Sequence, residues 1–167
     1  MLIEIRPATL SDAAAICEVY LNSRKVTQPY TRLVHSDAEH LQWIAEELIP
    51  QKEVSVAEVD GVIVGMMALT RDAQGGWIDQ LYLHPDWTGR GIGSQFLELA
   101  RARLSSGPDN PSGNSIRLYT FQENSAARRF YERLGFKEIA FGDGSANEEG
   151  TPDVLYEWRP EDQGAGY

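Results

Sequence analysis

The residues best spaced for chemistry are the glycine turn Gly89-Arg90-Gly91-Ile92-Gly93-Ser94, which lies between a strand pattern ending at Leu83-His84-Pro85 and a helical pattern reaching Leu104. Glycine backbone can approach a ligand closely and adopt positive φ. The first N–H groups of a helix lack intrahelical partners and carry the positive end of its dipole, so such a turn can hold a pyrophosphate. Arg90 sets a guanidinium beside those amides. The same residues would also serve as a plain tight turn. Two other phosphate motifs do not fit. A P-loop needs Lys-Ser or Lys-Thr where Ser94-Gln95 stands, and a dinucleotide fingerprint wants Gly or Ala where Phe96 stands.

A second group is Asn124-Ser125-Ala126-Ala127-Arg128-Arg129-Phe130-Tyr131-Glu132-Arg133-Leu134-Gly135-Phe136. Helical periodicity puts Ala127, Tyr131 and Leu134 on one face and Arg129 and Arg133 on another. Asn124 fits a helix N-cap. Tyr131 fits a core tyrosine whose hydroxyl finds a backbone partner. Arg128 and Arg129 fit surface ion pairs of little energetic value. Each of these residues could instead touch a ligand.

Together the two segments resemble the GNAT superfamily of acetyltransferases. Its acyl-CoA loop reads Gln/Arg-x-x-Gly-x-Gly/Ala after a Val-x-Pro-like step, and its next motif reads Asn-x-x-Ala-x-x-x-Tyr-x-x-x-Gly-Phe. Here Thr88 departs from the Gln or Arg, while Gly91 and Gly93 are in place. The resemblance covers Leu2 to Trp158 and is sharp from Trp77 to Phe136. It implies acetyl-CoA as cosubstrate and direct attack by an amine in a ternary complex, with no metal and no cysteine intermediate. It further implies an amide cradle at Gly89, Arg90, Gly91, Ile92, Gly93 and Ser94, cofactor contacts from Asn124 and Arg128, and pairing of the pantetheine arm with the backbone of Leu81, Tyr82 and Leu83. Tyr131 would point at the thioester sulfur. A thiol titrates near 8.5 and a phenol near 10, so full proton transfer from an unperturbed Tyr131 is uphill by about 2 kcal/mol. A charge-assisted hydrogen bond to the thiolate therefore serves as well as a discrete general acid. The rival reading is a non-catalytic acyl-CoA-binding or sensing module on the same fold.

The acceptor is less defined. Deprotonating a lysine-type amine at pH 7 costs about 4.6 kcal/mol, against about 1 kcal/mol for an α-amine, so a base helps the first most. Candidates are Asp79, His35, and Glu148 or Glu149, each of which also fits an ordinary surface position. The resemblance places the connection Arg24 to Ser36, with Tyr30, Arg32 and His35, beside the acceptor. The acidic loop Asp143 to Asp153 would close the other side. An acidic, aromatic mouth suits a cationic amine or a peptide amine.

The elements that must position these groups are legible. Leu2 to Arg6 alternates as a strand. Thr9 with Asp12, and Ser36 with Glu39, form capping-box patterns before two helices, the second of which Pro50 is expected to end. Glu53–Val59 and Val62–Leu69 flank Asp60-Gly61, a hairpin signal. Strands follow at Trp77–Leu83, Ile116–Phe121, Phe136–Phe141 and Val154–Trp158, with helices from about Ser94 to Leu104 and from Asn124 to Leu134. The β-α-β crossover within hairpins predicts an α/β (α+β) GNAT fold: a mixed, mostly antiparallel sheet of six or seven strands, about four helices on both faces, and strands 4 and 5 parallel and splayed.

One domain is expected over residues 1–160, with a disordered tail at 161–167. The net charge of −10, six units of it from residues 143–167, disfavours nucleic acid. No apolar run has membrane length, and Met1 to Pro7 lacks a secretory core. The lone Cys17 excludes an internal disulfide, so the expected compartment is the cytoplasm, with a second copy of the chain as a candidate partner.

Overall fold

The structure, a computed structural model, describes residues 2–105 and 114–163. Seven strands form one mixed sheet in the order β1-β2-β3-β4-β5-β7-β6. They are β1 Ile3–Pro7, β2 Glu53–Val59, β3 Val62–Asp72, β4 Gly75–Leu83, β5 Ile116–Phe121, β6 Lys137–Gly142 and β7 Asp153–Trp158. The β4–β5 ladder is parallel and registers Gly76 with Ile116 and Trp77 with Arg117. The expected mixed sheet with its parallel fourth and fifth strands is therefore present. Residues 106–113, between Leu104 and β5, lie outside the described residues. The chain divides into two compact units, residues 1–70 with 79–100, and residues 71–78 with 101–167.

In the first unit, the Asp60-Gly61 turn joins β2 to β3 with positive φ at both residues, 50° and 81°. Positive φ there matches the twist of a tight hairpin. The strands alternate faces. Val54, Val56, Met66 and Ala68 pack against α1 (Ala13–Thr27), α2 (Asp37–Trp43) and the turn after it. On the opposite face of β3, Gly65 sits against Leu83 and Phe96, the latter on α4 (Ile92–Leu104). Cys17 is buried in the α1 core, where desolvation pushes its thiol up and makes it inert packing.

Pro50 does not end the second helix. After α2 the chain makes a π turn over Ile44–Leu48 and a last turn, α3 (Ile49–Gln51), which holds Pro50 near its start. The wider π turn re-spaces the ladder just where a proline ring would crowd a preceding carbonyl.

In the second unit, β5, β7 and β6 form an antiparallel ladder carrying α5 (Ser125–Arg133). Gly75 and Gly76 anchor β4. A Cβ on Gly75 would lie 2.6 Å from Ser115 Oγ, and one on Gly76 2.6 Å from Leu104 Cδ1. Ser115 O accepts from Gly76 N–H at 2.9 Å, so three segments converge where no side chain fits. The edge strand β6 is bulged at Ile139, and both Ile139 and Phe141 are exposed. Pro160–Asp162 forms a 3-10 turn, and the rest of the tail from residue 164 lies outside the described residues.

The start of α1 is fixed electrostatically. Asp12 accepts from Thr9 N–H at 2.8 Å and from both terminal nitrogens of Arg6 at 2.8 and 3.0 Å. Arg6 Nε also donates to Glu58 at 2.7 Å. The Arg6 guanidinium holds the Asp12 carboxyl at about 2, below its ordinary 3.8. A depressed carboxylate stabilises above its unfolded pKa and loses that contribution as pH falls through the folded one. Asp12→Asn should therefore cost on the order of 1–3 kcal/mol at pH 6. In urea titrations the gap between variant and wild type should close between pH 4 and 2. A gap independent of pH would assign the effect to packing alone.

Candidate active site

In the first unit, β4 delivers Leu81, Tyr82 and Leu83 to the turn that opens α4. All three are half-buried rather than fully core. Val64 O accepts from His84 N–H at 2.8 Å, and a 3-10 turn over Pro85–Trp87 follows. Thr88, in place of the family's Gln or Arg, donates its hydroxyl to Pro85 O at 3.2 Å and so belongs to the turn. Gly89 and Gly91 have φ of 73° and 83°, and a Cβ on either would meet nothing within 4 Å. What requires glycine is therefore the backbone conformation, and the space over the turn is open. α4 starts at Ile92, two residues earlier than the expected start, and its first bond is Gln95 N–H to Gly91 O at 3.1 Å. The amides of Ile92, Gly93 and Ser94 are thus first-turn donors without intrahelical partners. Arg90 lies over the Trp87 ring, 4.6 Å from its centroid. This cradle fits a pyrophosphate.

Asp79, at the start of this stretch of β4, accepts from Thr70 Oγ1 at 2.6 Å through Oδ2, which also lies 3.3 Å from Lys52 Nζ. His35 is exposed, 3.5 Å from Glu39, and its ring meets His40 at 5.8 Å. His40 in turn meets Tyr20 at 5.3 Å, and Tyr20 meets Tyr82 edge-on at 4.9 Å. His35 is therefore joined to the cofactor strand through two residues absent from the sequence reading. Tyr30 is half-buried in the connection that follows α1. Arg24, named there only as the start of the connection, is buried and donates to Tyr20 OH at 2.8 Å and Thr31 Oγ1 at 3.2 Å. The available signal was the Tyr20–Arg24 spacing on one face of α1.

In the second unit, Asn124 is the N-cap of α5, its Oδ1 accepting from Ala127 N–H at 3.2 Å. Its amide nitrogen is uncommitted among the described residues. Tyr131 is 7% exposed, set among the rings of Phe130, Phe136 and Tyr156 at 5.2, 5.6 and 6.2 Å. Its hydroxyl has no hydrogen-bond partner among the described residues, and desolvation alone pushes it well above the ordinary tyrosine range. The backbone partner expected of a core tyrosine is missing.

Arg128, expected to touch the cofactor, is engaged within the second unit. Nε donates to Tyr156 OH at 3.1 Å, one terminal nitrogen to Gln122 O at 3.2 Å, and the other to Glu138 at 2.6 Å. Its guanidinium is used inside the unit, while Arg129 beside it is exposed. The acidic loop is a pinned turn. Asn147 Nδ2 donates to Thr151 O at 2.8 Å and Asp153 Oδ2 at 3.2 Å, with Glu148 exposed and Glu149 half-buried.

Residues 50–138 match the acetyltransferase (GNAT) domain family. The chain belongs to this family. The GNAT domain is 27% identical over 138 residues to the peptidyl-lysine N-acetyltransferase YjaB of Salmonella typhimurium, covering 82% of this chain and 85% of that protein. It is 28% identical over 151 residues to the spermidine N(1)-acetyltransferase of Thermoplasma acidophilum, covering 82% and 89%. It spans 60% of the length of an uncharacterized N-acetyltransferase of Methanocaldococcus jannaschii, at 26% identity over 80% of its own. Among solved structures, the PaiA N-acetyltransferase of Thermoplasma acidophilum in complex with coenzyme A superposes with a TM-score of 0.71 at 25% identity, over 95% of this chain and 99% of that one.

Gly91→Glu should weaken acetyl-CoA binding by at least about 100-fold in calorimetry, since it sets a carboxylate over amides suited to phosphate. Undiminished affinity in a folded variant would remove the turn from the site.

Proposed function

We propose that this GNAT domain transfers acetyl from acetyl-CoA directly to a primary amine, a small cationic amine or a peptide amine. The observation that carries this reading is that Tyr131, a residue 7% exposed, has no partner for its hydroxyl among the described residues. An uncommitted donor among aromatic rings has its value where new negative charge appears. Here that charge is the thiolate: the amine nitrogen forms its bond to the thioester carbon, the C–S bond breaks, and Tyr131 donates to the departing sulfur. Its raised pKa widens the uphill gap for complete transfer, which favours the hydrogen-bond role. The first-turn amides of α4 hold the pyrophosphate, and the backbone of Leu81–Leu83 pairs with the pantetheine as an added strand. Asn124 adds its amide. Asp79 takes the amine proton through Oδ1, since Oδ2 is committed to Thr70 and Lys52. Relatives named for spermidine and for peptidyl-lysine support an amine acceptor without choosing between the two.

Tyr131→Phe should lower kcat about 10- to 100-fold and leave the KM for acetyl-CoA within about twofold. Because burial raises the Tyr131 pKa above its ordinary 10, the wild-type pH profile should show no basic limb from loss of this donor below pH 10. Wild-type kcat in the Phe variant would reduce Tyr131 to packing. For the acceptor, Tyr30, His35, Glu148 and Glu149 frame the mouth in this reading. Converting Glu148 and Glu149 together to Gln should raise the KM of spermidine about 3- to 10-fold at low salt and weaken its salt dependence. Indifferent kinetics would make this loop plain surface.

A further inference from the structure

Tyr131 has no tether for its own hydroxyl, so its placement depends on what holds α5. That helix is only nine residues long, and short helices owe their stability to packing rather than propensity. Arg128, one turn before Tyr131 on neighbouring surface, is bonded to two strands and to the residue that follows a third. It reaches Gln122 O beyond the end of β5, Glu138 on β6 and Tyr156 OH on β7. The Tyr156 ring is fully buried, packs 6.2 Å from Tyr131, and its hydroxyl donates back to Glu132 of α5 at 3.3 Å. A planar guanidinium presents its donors in a fixed fork, whereas an ammonium turns freely on a flexible stem.

We propose that Arg128 is a positioning residue for acetyl transfer: by clamping α5 to β6, β7 and the residue that follows β5 it sets the Tyr131 hydroxyl for the departing sulfur. This rests on the donor role of Tyr131 proposed above. Loss of the clamp leaves the amide cradle on α4 untouched, so it acts on turnover rather than on cofactor affinity.

The test is a double-mutant cycle on kcat and on the KM for acetyl-CoA, with the full chain and the amine the wild type acetylates fastest. Arg128→Met keeps the stem and removes the guanidinium. Tyr156→Phe cuts the same clamp from the other side with the ring retained. Each should lower kcat about tenfold in the wild-type background, less than about twofold in the Tyr131→Phe background, and shift the KM by less than about twofold. A rise in KM with unchanged kcat would return Arg128 to phosphate binding and overturn the proposal. Equal losses of kcat in both backgrounds, or none in either, would also overturn it. The donor role itself is read separately: if Tyr131→Phe alone keeps wild-type kcat, that reading fails first and takes the clamp with it.

Discussion

Two adjacent side chains are missing at Gly75 and Gly76, and their absence lets β4 lie against Ser115 before β5 and against Leu104 at the end of α4. Alanine at either place would put a Cβ 2.6 Å from another atom, well inside contact distance. The β-α-β crossover must return its second strand beside its first, and here it does so across a two-residue parallel register. β4 runs on from it to the glycine turn, and β5 runs on from it to the cap of α5.

The site uses two unlike forms of electrostatics. The turn before α4 presents backbone amides, whose direction is fixed by φ at Gly89 and Gly91 and needs no side chain. Tyr131 presents one hydroxyl in a ring-lined setting where desolvation, not charge, governs its acidity. A phenol in that environment resists ionising and so remains a donor under conditions where an exposed one would not.

Local chemistry carried most of what the sequence disclosed. Asp60-Gly61, Ser36 with Glu39, and Asn124 with Ala127 each act within four residues, and each was found in its expected role. The clamp shows where that legibility ends. The partners of Arg128 could not be read from its segment, because Glu138 and Tyr156 lie 10 and 28 residues away and carry no local signature. The π turn before Pro50 and the chain of rings from His35 through His40 and Tyr20 to Tyr82 are of the same kind. They follow from how helices settle on a sheet, and no spacing within one segment encodes them. Acceptor residues suffer most, since they come from loops whose shape is a tertiary result.

The bulge at Ile139 bears on how the protein behaves in a crowded cell. β6 closes the sheet with one side unpaired, and it exposes Ile139 and Phe141 there. An uninterrupted edge of that composition would template strands from other chains and grow into aggregate. One extra residue in the middle of a six-residue strand breaks the regular spacing of its free N–H and C=O groups. The bulge thus makes the strand a poorer template for a second one, although its rim is apolar.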